Sequence, residues 1–326
     1  MKIQKIWFAI ATGLLLLAGS YSLAGKSAAD SFSPSGESAK AYLGRWDLTL
    51  KAPDREYPSW LELTEEGGEL KARMVGRWGN ARALPKVTLA NGHLTFVSPK
   101  EEEDRPDDMV FEGTLVGENL SGTLNGLNGV TWTWTGQRAP ALTRSSTPKW
   151  GKSIRMFSGK DLTGWKMSGP SKSVWKVENS TLVSPGEGPE LISEAKFEDF
   201  KLHVEFNCGP DSNSGVYLRG RYEVQVETDS ISEPPNRRMG GVYGFLAASP
   251  EQPRRPGQWQ SYDITLVGRW VTVVQNGTTI IDNKEIPGIT GGALDSHEGL
   301  PGPIYLQGTE KGHVIFRNIV ITPAEK

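Results

Sequence analysis

The sequence predicts an all-β protein built from two successive antiparallel units. Three observations carry that reading. The 326 residues include 38 Gly and 21 Pro, which mark many turns and therefore many short strands. Apolar and polar residues alternate in short runs, the period of a half-buried strand. Asn91-Gly92 and Asn276-Gly277 each stand between two such runs, the strongest short-range hairpin signal. No convincing amphipathic helix interrupts the second unit.

The chain opens on an export signal. Lys2 and Lys5 precede an almost wholly apolar stretch, 6–18, and Ser22-Leu23-Ala24 places small residues where a signal peptidase cuts. The apolar stretch is shorter than the ~20 residues a membrane-spanning helix needs, so 1–24 is predicted to be removed after Ala24; an uncleaved anchor is the other reading. The expected location is secreted or periplasmic, with no membrane association beyond the signal. Residues 25–41 are predicted to be a disordered leader rich in Ser, Ala, Gly and Lys.

The first unit is assigned to 42–137. Leu48 and Leu50 alternate with Asp47 and Thr49, and strand-like runs follow at 60–64, 69–75, 89–94, 110–116, 120–124 and 130–135. Their regular spacing predicts a small antiparallel β-barrel or sandwich. An interior lined by Leu61, Leu63 and Trp132 would decide whether such a barrel holds an apolar ligand. Gly44-Arg45-Trp46 resembles the Gly-x-Trp opening of lipocalin-type barrels. The charged run 100–108 reads as a solvated loop, and 138–153, with Pro140, Pro148 and Ser145-Ser146-Thr147, as a linker.

The second unit, 154–326, shows the clearest alternation. Successive side chains of a strand point to opposite faces. In 201–207, Leu202, Val204 and Phe206 form one face, and His203, Glu205 and Asn207 the other. Val216 and Leu218 oppose Tyr217 and Arg219. Tyr222, Val224 and Val226 oppose Glu223, Gln225 and Glu227. Ile304 and Leu306 oppose Tyr305 and Gln307. A clean core face backed by tyrosines, amides and carboxylates suits a sugar groove, and it equally suits any half-solvated antiparallel sheet.

Composition removes several classes of function. A formal charge of −2 lacks the clustered Lys and Arg of a nucleic-acid footprint, so no nucleic-acid partner is expected. The single cysteine, Cys208, can form neither an internal disulfide nor a Cys-based zinc site; at the end of an alternating run it reads as a buried structural thiol. The four histidines, His93, His203, His297 and His313, show no metal-ligand spacing. No cofactor is predicted, and a divalent cation would have to rest on carboxylates alone.

Specific strings add to this pattern. Phe157-Ser158-Gly159-Lys160-Asp161-Leu162-Thr163-Gly164-Trp165 and Trp175-Lys176-Val177-Glu178-Asn179 are followed by Phe197-Glu198-Asp199-Phe200-Lys201-Leu202. Asn213-Ser214-Gly215-Val216-Tyr217-Leu218-Arg219-Gly220 and Tyr222-Glu223-Val224-Gln225-Val226 come next. Gly240-Gly241-Val242-Tyr243-Gly244, Pro256-Gly257-Gln258-Trp259-Gln260, Gly302-Pro303-Ile304-Tyr305-Leu306-Gln307 and Phe316-Arg317-Asn318-Ile319 complete the series. In this order the strings resemble the 3-keto-disaccharide hydrolase family over about half of the chain, and the resemblance does not extend to 25–150. It implies a concanavalin-like jelly-roll β-sandwich. It also implies hydrolysis of glycosides whose C3 hydroxyl has been oxidised to a ketone, with carbohydrate as the partner. One departure is plain: members carry a His-Gly shortly after the last Leu-Gln, where this chain reads Gly308-Thr309-Glu310-Lys311-Gly312-His313. A non-catalytic carbohydrate-binding protein is therefore the alternative.

A C3 ketone acidifies the proton at C2. A general base can remove it, the C1 substituent can leave by elimination, and water can add back. Such a site needs a base, a donor or cation for the enolate oxygen, and a donor for the leaving oxygen. Glu223 is the candidate base, Arg219 the candidate enolate cation, and Tyr243 the candidate proton donor or stacking ring. Gln225, Glu227, Tyr217, Asn213, Glu205 and Gln307 are candidates for substrate binding. Glu223 and Glu227 share a face but stand four strand steps apart, about 13 Å at the backbone. That exceeds the carboxylate spacing of either standard two-carboxylate mechanism.

Overall fold

The computed structural model describes residues 39–169, 174–186, 188–227, 233–308 and 312–325. The export signal, most of the leader, and Thr309, Glu310 and Lys311 of the departing motif lie outside the described residues. The first nine strands are β1 (Gly44–Lys51), β2 (Glu56–Glu66), β3 (Glu69–Val75), β4 (Arg82–Ala83), β5 (Lys86–Ala90), β6 (His93–Ser98), β7 (Met109–Val116), β8 (Asn119–Asn125) and β9 (Thr131–Arg138). They form one antiparallel sheet in the order β4-β3-β2-β1-β9-β8-β7-β6-β5. Its ends approach each other at β3 and β5, so the sheet curls around its own core. Asn91 and Gly92 take the positive φ values, 52° and 74°, that a two-residue hairpin turn requires. Leu61, Leu63 and Trp132 lie in a core filled by Trp46, Trp134, Phe96 and Phe111.

The run 100–108 departs from the solvated loop expected of it. Lys100–Glu103 is one helical turn, and Glu103 is fully buried. Its carboxylate accepts hydrogen bonds from Arg77, Arg82 and Ser98. Arg105 is buried too, donating to the carbonyls of Asn125 and Gly126. A charge run looks solvated when its partners lie far away in sequence; here those partners come from β4, β6 and the loop after β3.

The remaining strands are β10 (Ile154–Arg155), β11 (Trp165–Met167), β12 (Lys176–Glu178), β13 (Thr181–Pro185), β14 (Leu191–Phe197), β15 (Phe200–Cys208), β16 (Asn213–Leu218), β17 (Tyr222–Glu227), β18 (Gln260–Val267), β19 (Trp270–Gln275), β20 (Thr278–Glu285), β21 (Gly302–Leu306) and β22 (His313–Pro323). They build two sheets. One runs β12-β13-β22-β15-β18-β19-β20, with β10 added beside β22; the other runs β11-β14-β21-β16-β17. The chain crosses repeatedly between them, so the protein is all-β and this half is a sandwich. The apolar faces meet as the alternation requires: Leu202, Val204 and Phe206 of one sheet share a core with Val216, Leu218, Val224, Val226, Ile304 and Leu306 of the other. Cys208 lies in this core, its thiol pushed up to about 12 by burial.

The segment 139–153 is tied to the sandwich rather than extended in solvent. The Pro140 carbonyl accepts from Arg269, and Arg144 pairs with Asp199 at 2.6 Å. The nine-stranded sheet also packs on the sandwich side. Trp60, fully buried, turns out of its own sheet and meets Phe245 edge-on at 5.2 Å. Gly288 lies against the same indole, where any Cβ would sit 2.1 Å from Nε1.

Candidate functional site

The outer face of the five-stranded sheet carries a polar lattice. In the pairing of β16 with β17, Tyr217 lies opposite Glu223 and Gly215 opposite Gln225. In the pairing of β16 with β21, Tyr217 lies opposite Tyr305. Glu223, Tyr217 and Tyr305 therefore form one row across three strands, with the two tyrosine rings stacked at 4.1 Å. A second row holds Gln225, Gly215 and Gln307, whose backbone N–H donates to the Gly215 carbonyl at 2.9 Å. Cross-strand neighbours are the units through which a sheet positions side chains, so the two rows bring these groups side by side, with Gln307 one residue past the end of β21.

Glu223 is buried, 4% exposed. The Tyr217 hydroxyl lies 2.9 Å from its Oε2 and 2.7 Å from the Gly291 carbonyl. Burial and the neighbouring carboxylate push the Tyr217 phenol well above its ordinary value, so it keeps its proton and acts as a donor. Gly215 makes room for the carboxylate: a Cβ there would lie 2.2 Å from Glu223 Oε1. Gln225 Oε1 accepts from the backbone N–H of Val226 at 3.1 Å, which leaves its amide nitrogen as donor. Gln307 Oε1 is buried and meets no hydrogen-bond partner among the described residues. A buried acceptor left in that state carries an unfavourable desolvation cost, which a bound hydroxyl would offset.

These groups open into a cleft of about 580 Å³, within the range of about 300–1,000 Å³ typical of small-molecule sites. Asn213, Tyr217, Glu223, Gln225, Tyr243 and Gln307 all line it, together with Tyr305. Tyr243 arrives on a segment that pairs along the edge of β17, its backbone N–H donating to the Glu223 carbonyl at 3.0 Å. Gly291 and Gly292 supply a second wall, and Gly292 leaves no space for a Cβ beside the Tyr217 hydroxyl.

Three other candidates stand elsewhere. Arg219 is 1% exposed and lies in the turn after β16 with φ 53°. Its guanidinium donates to the Gly268 carbonyl and sits 5.5 Å from the Tyr222 ring centroid, away from the cleft. Alternation held for Tyr217, but the strand ends at Leu218, so counting onward to Arg219 failed. Glu205 belongs to β15 in the other sheet, on the opposite surface of the sandwich. It pairs with Arg317 at 2.6 Å and accepts from Asn318, and these donors hold its carboxyl below the usual carboxylate range even against its partial burial. Glu227 shares the strand of Glu223 but is closed off. It accepts from the Met239 N–H at 3.0 Å and lies 3.1 Å from Arg254. His297 lines a separate cavity beside Asp47. Among the described residues no group of three or more His, Cys, Asp or Glu side chains is placed to share a metal ion.

The sequence reading missed one wall entirely. Arg55, Glu56, Tyr57, Pro58, Arg77, Trp78 and Gly79, all from the nine-stranded sheet and its loops, line the same cleft. Gly79 packs so closely on Gly291 that a Cβ at Gly291 would lie 2.2 Å from its carbonyl oxygen. The available signal was Arg77-Trp78-Gly79-Asn80, a turn-forming string carrying a Trp outside any alternating run.

A family model described as a 3-keto-alpha-glucoside-1,2-lyase-like domain matches residues 152–322. A 3-keto-disaccharide hydrolase of Bacteroides thetaiotaomicron is 22% identical over 166 residues, 40% of this chain and 57% of that relative. The chain thus spans little more than half of the curated relative it matches. Two crystal structures of candidate glycosyl hydrolases from Parabacteroides distasonis are 25% and 24% identical. They cover 60% and 52% of this chain and 98% of their own, with TM-scores of 0.46 and 0.42. The matched segment, just over half of the 326 residues, supplies β11, β14, β16, β17 and β21, the whole sheet that forms the cleft floor, and the chain belongs to the 3-keto-alpha-glucoside-1,2-lyase-like family.

Proposed function

We propose that this protein is an exported hydrolase of 3-keto-glycosides. The observation that carries the reading is the convergence of the buried Glu223 carboxylate, the amides of Asn213, Gln225 and Gln307, and the phenols of Tyr217, Tyr243 and Tyr305 on one cleft. The family's name and that of the Bacteroides relative support the substrate class. Glu223 takes the proton from C2 of the keto sugar, whose electron pair passes into the enolate at C3. The enolate then re-forms the ketone as the C1–oxygen bond breaks, leaving a C1=C2 double bond conjugated to the carbonyl. Tyr243 gives its proton to the departing oxygen. Water adds at C1 and gives its proton back to the Tyr243 phenolate, C2 is reprotonated by Glu223, and the sum is hydrolysis. With Arg219 turned away, the amide N–H groups of Gln225 and Asn213 stabilise the enolate oxygen. Tyr217 holds Glu223 in place and Gln307 accepts from a sugar hydroxyl. Export rests on residues 1–24, and the product is released outside the cytoplasm.

The test is aglycone release from a 3-keto-glucoside. Glu223→Gln removes the base and is expected to lower kcat about 10²–10⁴-fold, the usual contribution of a positioned general base. Equal rates for the two proteins would remove Glu223 from the mechanism. Binding of the keto-glucoside by wild-type protein without any turnover would favour the non-catalytic carbohydrate-binding reading. Export is checked by the size and location of the product of the full gene in a bacterial host.

A further inference from the structure

The family match covers 152–322, yet the cleft is closed by residues 55–58 and 77–79. This wall is rigid. Arg77, 5% exposed, is held by the Glu103 carboxylate at 3.3 Å and by the Glu103 carbonyl at 2.5 Å. Its guanidinium lies over the Trp78 ring at 4.0 Å, while Tyr57 meets the same indole edge-on at 6.4 Å. Tyr57 is itself stacked on Trp132 at 5.9 Å and capped by Arg55 at 4.5 Å. Trp78 nevertheless keeps 39% of its surface open, against full burial of Trp46, Trp60 and Trp134. An indole exposed at the mouth of a cleft and held by a buried ion pair is arranged to receive something flat and partly apolar.

We propose that the nine-stranded sheet supplies the leaving-group half of the site: Trp78, backed by Arg77 and flanked by Arg55, is a platform for the second sugar ring of a disaccharide substrate. The inference rests on the keto-glycoside reading and adds to it the wall of the cleft that receives the leaving group. The C–H face of a pyranose lies flat on an indole, and its ring hydroxyls point sideways toward the exposed Arg55 guanidinium. The first ring must bring C2 to Glu223 on the cleft floor, so the ring across the scissile bond is the one that reaches the opposite wall. A cleft of about 580 Å³ has room for both. Because the platform is locked before the substrate arrives, little ordering cost is charged to binding.

The experiment measures calorimetric binding to protein carrying Glu223→Gln, which slows turnover about 10²–10⁴-fold. The ligands are a 3-keto-disaccharide and methyl 3-keto-glucoside, which lacks the second ring. The disaccharide is expected to bind about tenfold more tightly, the worth of roughly 1.4 kcal/mol. Adding Trp78→Ala should abolish that ratio, Trp78→Phe should retain most of it, and Arg55→Ala, at an exposed position, should reduce it severalfold. A ratio near one in the Glu223→Gln protein, or a ratio unchanged by both Trp78→Ala and Arg55→Ala, overturns the platform alone. Failure of either ligand to bind the Glu223→Gln protein, together with no aglycone release by wild type, overturns the keto-glycoside reading and the platform with it.

Discussion

Asp47 offers a sharp test of how the nine-stranded sheet is joined to the rest of the protein. It sits on β1, 4% exposed, with Glu298 of the 295–300 loop as its hydrogen-bonding neighbour. Glu298 also accepts from the Tyr222 hydroxyl at 2.7 Å and from Arg269. Burial and the adjacent Glu298 carboxylate push Asp47 from 3.8 up to about 9, and Arg269 and Arg221 offset only part of this. Asp47 therefore keeps a proton in the folded protein that an ordinary aspartate would release. The unfolded chain releases that proton near the ordinary value of 3.8. Between about pH 4 and pH 9 the unfolded state binds fewer protons, so stability falls as pH rises. Each unit is worth about 1.4 kcal/mol, hence roughly 4 kcal/mol between pH 5 and pH 8. Asp47→Asn keeps the shape, cannot ionise and can donate to Glu298. Urea unfolding at a series of pH values should show the variant gaining on wild type by that amount across the window, with the two nearly equal at its acid end. Parallel stability profiles for the two proteins would refute a protonated Asp47 in the folded state.

Two further substitutions probe the site and the packing. Gly215→Ala places a methyl carbon 2.2 Å from Glu223 Oε1 and should displace the carboxylate, lowering kcat about 10²-fold while the melting temperature changes little; an unchanged kcat would show that Glu223 needs no such clearance. Trp60→Ala removes the fully buried indole packed on Phe245 and should cost about 3–5 kcal/mol in urea unfolding.

Much of the sandwich was legible because alternation is a local property. Leu202, Val204 and Phe206, Val216 and Leu218, and Ile304 and Leu306 are core residues, as their spacing requires. The same rule brought Tyr217, Glu223 and Gln225, all on strands of a single sheet, to one surface with Gln307, which stands one residue past the end of β21. It misplaced Glu205, because alternation assigns a side chain to a face of its strand and is silent about which sheet receives that strand. It misplaced Arg219 because a strand end is set by the turn that follows, here Arg219-Gly220 with two positive φ values. Glu227 obeyed the pattern and was then covered by the Met239 backbone and Arg254, a loop contact that no periodicity encodes.

The amino-acid order alone determined that this is an all-β chain, where its Asn-Gly hairpins turn, and which side chains of the sandwich strands enter its apolar core, since all three depend on neighbours one or two residues away. Only the tertiary structure decided that the cleft has two owners. Arg77 and Trp78 reach Tyr217 and Glu223 across well over a hundred residues of sequence, through a close approach of Gly79 to Gly291. Such a contact is fixed by how two packed bodies fit, a condition on the whole surface that no local run of residues expresses.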